Sequence, residues 1–191
     1  MFPVVNKSKL LKALNVNMVL IGIESADTEV LKELGKGDNA SPEDNLRAVK
    51  LLFENKIDIG ASYILGLPGE TDETCKKNME QIEQFYELAM KYLGHAPRNI
   101  YANQLEVTHK SRIYNDLVNK MPEKYASKGR VCLNTIELTD DYFRTQFNLN
   151  ENELKNYKKK LTRYSDAMIT FSSEKTDWRV SYSNIPPLQK E

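Results

Sequence analysis

The sequence predicts an α/β fold built on parallel strands and followed by a mostly helical C-terminal extension. Three observations predict it. Short, nearly continuous apolar runs recur at residues 18–23, 57–65 and 100–107. Amphipathic helical patterns separate these runs, at the spacing of right-handed βαβ crossovers. Past Thr108 the alternation stops, and apolar residues recur mainly at helical spacing.

Each element has its own reason. Residues 7–14 place Leu10, Leu11 and Leu14 at helical spacing, with Asn6 as a cap. The run 18–23 reads as a strand buried on both faces, as in parallel sheets, and it switches abruptly to Glu24-Ser25-Ala26-Asp27. A helix from Thr28 to Leu34 follows, broken by the glycine-containing stretch 35–39. Ser41-Pro42-Glu43-Asp44 opens the next helix with a cap, a first-turn proline and two early acids. Its apolar stripe is Leu46, Val49, Leu52 and Phe53. The second strand, 57–65, ends at Gly66-Leu67-Pro68-Gly69-Glu70-Thr71. A long helix then runs from Asp72 to Tyr92, its inward face formed by Met79, Ile82, Phe85, Tyr86 and Ala89. The third strand is 100–107. Beyond it, 111–118 reads as helix, 130–138 as extended, and 140–147 and 151–171 as helices. Leu154, Tyr157, Leu161, Tyr164 and Met168 form the stripe of the last helix, and 178–182 reads as an added strand.

Composition narrows the function classes. Of 191 residues, 40% are hydrophobic and 28% charged, so an ordinary core can form. The 27 basic and 27 acidic residues cancel, so no global field draws the chain to nucleic acid or to a membrane surface. No apolar run approaches the ~20 residues of a membrane span, and the N-terminus lacks the pattern of a signal peptide. The expected location is the cytoplasm. Cys75 and Cys132 lie too far apart in sequence for a metal knuckle and read as free thiols. Lys158-Lys159-Lys160 reads as a solvated helix face. His95 and His109 are isolated and read as loop or surface residues.

Parallel βα architectures bind ligands at the C-terminal ends of their strands. The chemistry is therefore expected at Glu24-Ser25, at Ser62, Ile64 and the 66–70 turn, and at residues 104–107. Glu24 follows an apolar run, where a carboxylate needs hydrogen-bond partners. A ligand with paired hydroxyls, such as a ribose, would supply them. The alternative is that Glu24 caps the next helix or pairs with a nearby lysine. The 66–70 turn packs two glycines and a proline, which permits close approach of a flat group. It reads equally as a tight βα turn with no ligand, and it is neither a P-loop nor a dinucleotide fingerprint. Strand alternation puts Gly60, Ser62 and Ile64 on one face and Ala61, Tyr63 and Leu65 on the other.

Gly22-Ile23-Glu24-Ser25, then Val30-Leu31-Lys32 and Lys36-Gly37, then the stretch from Tyr63 to Thr71, together resemble the second half of a radical S-adenosylmethionine (SAM) domain. The likeness covers residues 8–115 and is nearest to the group with cobalamin-dependent and methylthiotransferase-like members. It implies a partial (β/α) barrel over residues 1–110, with 111–191 as the helical extension. It also implies that SAM is the cofactor and that Glu24 contacts its ribose hydroxyls, with Ser25 beside it. Lys36 would pair with the SAM carboxylate, unless it is an ordinary surface lysine. Ser62, Ile64 and Gly66 would lie along the adenosine, and Leu105 against adenine. Family members cleave SAM at a [4Fe–4S] cluster to make a 5′-deoxyadenosyl radical. Three cysteines in a Cys-x3-Cys-x2-Cys loop hold that cluster, and this sequence has no such loop. The chain is thus expected to be a fragment or truncated member, inactive alone, or a non-catalytic SAM-binding subunit. The expected partner is an N-terminal half-barrel chain carrying the cluster motif. The likeness requires Glu24 and the 66–70 bend to stand at the same end of the sheet.

Overall fold

The computed structural model describes residues 4–36, 40–125 and 135–174. In chain order the elements are α1 (Val4–Ala13), β1 (Met18–Glu24), α2 (Thr28–Glu33), α3 (Pro42–Glu54), β2 (Asp58–Leu65), α4 (Asp72–Tyr92), β3 (Asn99–Gln104), α5 (Arg112–Lys120), α6 (Pro122–Tyr125), α7 (Thr135–Phe147) and α8 (Glu151–Glu174). The three strands form one parallel sheet in the order β1-β2-β3.

Local sequence accounts for the helix starts. Asp27 caps α2 by accepting from the amides of Glu29 and Val30, and Ser41 caps α3 with Pro42 in its first turn. Thr71 and Thr74 cap α4 reciprocally. Each cap satisfies amides that the first helical turn leaves without partners.

One face of the sheet carries the core. Ile59, Ala61, Tyr63 and Leu65 are fully buried, with Ile23, Ile100 and Ala102 beside them. They pack with Val49 and Phe53 of α3 and with Met79, Ile82 and Phe85 of α4. On the other face Leu20 is 68% exposed and Tyr101 42% exposed, while Ser62 and Ile64 are half-buried. A doubly wound sheet would cover both faces. Sequential strand order with helices on one face is the geometry of an arc of a (β/α) barrel whose interior lies open.

The helices beyond residue 110 join the same core through Leu117, Leu138, Tyr142, Phe143, Leu161 and Met168. Helix α8 also closes the free edge of β3. There Ser165 donates to the carbonyl of Ala102, and Gln104 Nε2 donates to Thr162 Oγ1 at 2.9 Å. A bare edge would leave unpaired backbone groups. Among the described residues, no strand pairs with the outer edge of β1.

Four expectations are corrected. Strand β3 stops at Gln104 instead of Val107. Leu105 still donates to the Leu65 carbonyl at 2.7 Å, but the amide of Val107 turns to Thr139 Oγ1 on α7 at 2.9 Å, which pulls the chain out of the sheet. Residues 135–138, read as extended, begin helix α7, because Leu138 and Tyr142 lie one turn apart and are buried together. Asn6 lies inside α1 instead of capping it, and Leu10 in that helix and Leu14 just past its end are exposed. Lys160 is buried, not solvated, because its position falls beside the inward stripe of α8 and points at α4. Residues 130–134, Cys132 and the strand expected at 178–182 lie outside the described residues.

Candidate functional site

Strand β1 ends in a bulge. The register with β2 slips between Gly22 and Glu24, and Glu24 takes a φ of 65°. Positive φ is uncommon outside glycine, and bulges of this kind re-aim side chains at strand ends. Here the Glu24 carboxylate folds back over Gly22, where an added Cβ would meet its Oε1 at 2.5 Å. Gly22 shares its face with Leu20, so the carboxylate sits on the open face of the sheet. Lys36 Nζ reaches Glu24 Oε1 at 2.9 Å and donates to the Gly22 carbonyl at 3.1 Å. The lysine pairing foreseen for Glu24 is thus present. The pair keeps access to solvent, with 35% of the Lys36 and 18% of the Glu24 side chain exposed.

Ser62 is in register with Gly22 on one side and Tyr101 on the other, and Ile64 is in register with Asn103. These residues extend the same open face toward the strand ends. Glu24 and the 66–70 bend end neighbouring parallel strands, so they stand at the same end of the sheet.

Ser25, Gly66 and Leu105 stand behind this face. Ser25 is fully buried, and its Oγ accepts the Asp27 amide at 3.1 Å. Gly66 has a φ of 89°, and a Cβ there would lie 2.7 Å from Phe143 Cε1 and 3.2 Å from Leu161 Cδ1. The bend is therefore covered by α7 and α8. Glu70, 1% exposed, closes the bend from within, its Oε2 accepting from the amides of Gly66 and Leu67. Burial pushes its carboxyl up to about 8, against the opposing pull of those two amides. Leu105 is buried just past the end of β3.

Two supports escaped the sequence reading. Asn78 on α4 is fully buried, and its Oδ1 accepts the Ala26 amide at 2.6 Å, which holds the turn carrying Glu24. The signal was a polar residue set between Cys75, Met79 and Ile82 on the inward face of α4. Phe143 left no signal, because its contact with Gly66 joins distant segments. Beside the bend lies a cleft of about 350 Å³ lined by Leu34, Pro68, Arg112, Ile113 and Tyr142 among others. Arg112 lies 4.0 Å from Asp116 there, so its charge is partly balanced.

The residues present fit one implied cofactor and not the other. The open carboxylate and hydroxyl at the strand ends suit a ribose. Among the described residues the iron–sulfur cluster finds no ligands: Cys75 is a buried free thiol, which burial and the neighbouring acids keep protonated by raising its pKa. Among the described residues, no group of three or more His, Cys, Asp or Glu side chains could hold a metal ion. His95 and His109 lie in exposed loops, as expected. No described helix is long and apolar enough to cross a membrane.

The fold defines the class as α/β, a three-stranded parallel sheet with helices on one face, in the manner of an arc of a (β/α) barrel. Residues 5–82 match the radical SAM superfamily. The chain is also similar to an uncharacterized protein of Methanocaldococcus jannaschii, with 28% identity over 135 residues, which cover 67% of this chain and 26% of that protein. The chain thus spans about a quarter of the length of the curated relative it matches.

Proposed function

We propose that this chain is the C-terminal portion of a radical SAM enzyme, holding the nucleoside side of SAM while polypeptide outside these 191 residues supplies the cluster-binding cysteines. One observation carries the reading: the Glu24 carboxylate, folded over Gly22 beside Lys36, lies on the open face of the sheet. Glu24 would accept hydrogen bonds from the ribose hydroxyls, and Lys36 would pair with the SAM carboxylate. Ser62 and Ile64 would flank the adenosine. Ser25, Gly66 and Leu105 would shape the pocket from behind, Ser25 by setting the Glu24 turn. In the family, SAM supplies the adenosyl group from which a carbon radical is made, and the protein contributes orientation and exclusion of water. No cluster step is assigned to these residues, and the chain by itself is inactive.

The test is anaerobic. Calorimetry with SAM should show binding to the chain, weakened about tenfold or more in Glu24→Gln, which loses a charge-assisted acceptor. Equal affinity in the variant would overturn the SAM site. After incubation with iron and sulfide, the chain alone should form no stable [4Fe–4S] signal and release no 5′-deoxyadenosine. Turnover by the chain alone would overturn the claim of inactivity.

A second reading is a non-catalytic subunit that completes another chain's barrel. The open β1 edge and the exposed Leu20 favour it. Size-exclusion chromatography with an N-terminal half-barrel carrying the three cysteines discriminates. A chain that stays monomeric in that mixture would speak against it.

A further inference from the structure

Beneath the 66–70 bend, mostly buried polar groups from three helices meet. Glu70 is 1% exposed, its Oε2 accepts from the Gly66 and Leu67 amides, and Cys75 Sγ lies 3.9 Å from its Oε1. Among the described residues, no basic side chain forms an ion pair with Glu70. Helix α4 brings Asp72 and Cys75 to this region, α7 brings Tyr142, and α8 brings Tyr157 and Lys160. The hydroxyls of Tyr142 and Tyr157 are buried without hydrogen-bond partners, as is Lys160 Nζ, which lies 3.9 Å from Asp72 Oδ1. Tyr164 Oη donates to the same Asp72 oxygen at 2.7 Å.

We propose that the Glu70 nest is a proton-controlled latch: helices α7 and α8 stay docked on the 66–70 bend while Glu70 is neutral, and its ionisation loosens them. A neutral carboxyl can be buried there with its two amide contacts. A carboxylate would lie buried without a counter-cation among the described residues, where an unpaired charge is costly. The chain can relieve that cost by letting water in, and α7 and α8 are the elements whose departure admits it. Because α7 also holds the Val107 amide through Thr139, and α8 holds the β3 edge through Ser165, the latch bears on the ligand end of the sheet.

The sign follows from burial. Glu70 binds its proton more tightly folded than unfolded, so docking is fully stabilised below the ordinary value near 4.5 and weakens as pH rises through about 8. The other groups do not mimic this. Burial pushes Cys75, Tyr142 and Tyr157 up, which keeps them neutral through that range. Burial pulls Lys160 down, and losing its charge at high pH would favour docking, not oppose it.

The experiment is amide hydrogen exchange by mass spectrometry on the full chain at about pH 6 and about pH 9.5, corrected for intrinsic exchange rates. Protection in α7 and α8 should fall about tenfold or more at the higher pH, while β2 and α3 stay protected. Glu70→Gln should keep α7 and α8 protected at both values, and Lys160→Met should still loosen at high pH. Loosening that persists in Glu70→Gln, or that vanishes only in Lys160→Met, would overturn the latch. Should Glu70→Gln not fold, carboxyl carbon NMR of the unsubstituted chain decides. A Glu70 transition near the ordinary carboxylate range would overturn the proposal, and one well above it, coincident with the exchange change, would support it.

Discussion

Two glycines carry opposite burdens. Gly22 leaves room for the Glu24 carboxylate on an open face, while Gly66 leaves room for Phe143 in a closed one. Gly66→Ala would place a Cβ 2.7 Å from Phe143 Cε1 at a φ of 89°, so strain and overpacking combine. Urea denaturation should show a loss of about 2–4 kcal/mol. Phe143→Ala empties the same contact from the other side and should cost about 3–5 kcal/mol by the same measurement. Gly22→Ala should behave differently. Its Cβ would meet a flexible carboxylate, so stability should change by less than about 1 kcal/mol, while SAM affinity measured by calorimetry should fall as Glu24 is displaced.

At the scale of elements, the caps do more than start helices. Asp27 accepts two amides of α2 and also pairs with Lys77 of α4 at 2.6 Å, so it ties the turn after β1 to the long helix. Burial pushes its carboxyl up, but the Lys77 ammonium and the two amides outweigh that and hold it below the ordinary carboxylate value. The stabilisation is therefore present above the ordinary value and is lost as pH falls through the lower native one. Asp27→Asn should flatten the acid limb of the stability curve followed by circular dichroism, at a cost of about 1 kcal/mol near neutrality. An unchanged acid limb would remove Asp27 from this role. Helix α8 performs a different task, capping the β3 edge with Ser165 and with Thr162, which accepts from Gln104. With that edge closed, the edge left open to new strands among the described residues is that of β1.

Considered whole, the molecule has one closed side and one open side. The open side exposes Leu20 on β1 and Tyr101 on β3, positions on a face that barrels fill with side chains from the remaining strands. Leu20→Glu should leave the unfolding midpoint nearly unchanged, since the side chain is 68% exposed. It should abolish association with an N-terminal half-barrel in size-exclusion chromatography, because it would bury a charge at that contact. Association that survives the substitution would place the partner elsewhere.

Local chemistry made the strands and the cap of α3 legible in the sequence, which also offered the pairing of Glu24 with a lysine as one alternative. Apolar runs, proline and side-chain oxygens act over a few residues, and sequence displays such neighbours directly. The alternation of Ser62 and Ile64 against Tyr63 and Leu65 was readable for the same reason, since a strand alternates its faces whatever surrounds it. Only the tertiary structure decided that Lys160 is buried, that Phe143 sits on Gly66, that residues 135–138 turn into helix and that β3 ends at Gln104. Each of these depends on contacts between segments far apart in the chain. Their energies come from burial against α4, α7 and α8, which no local pattern specifies.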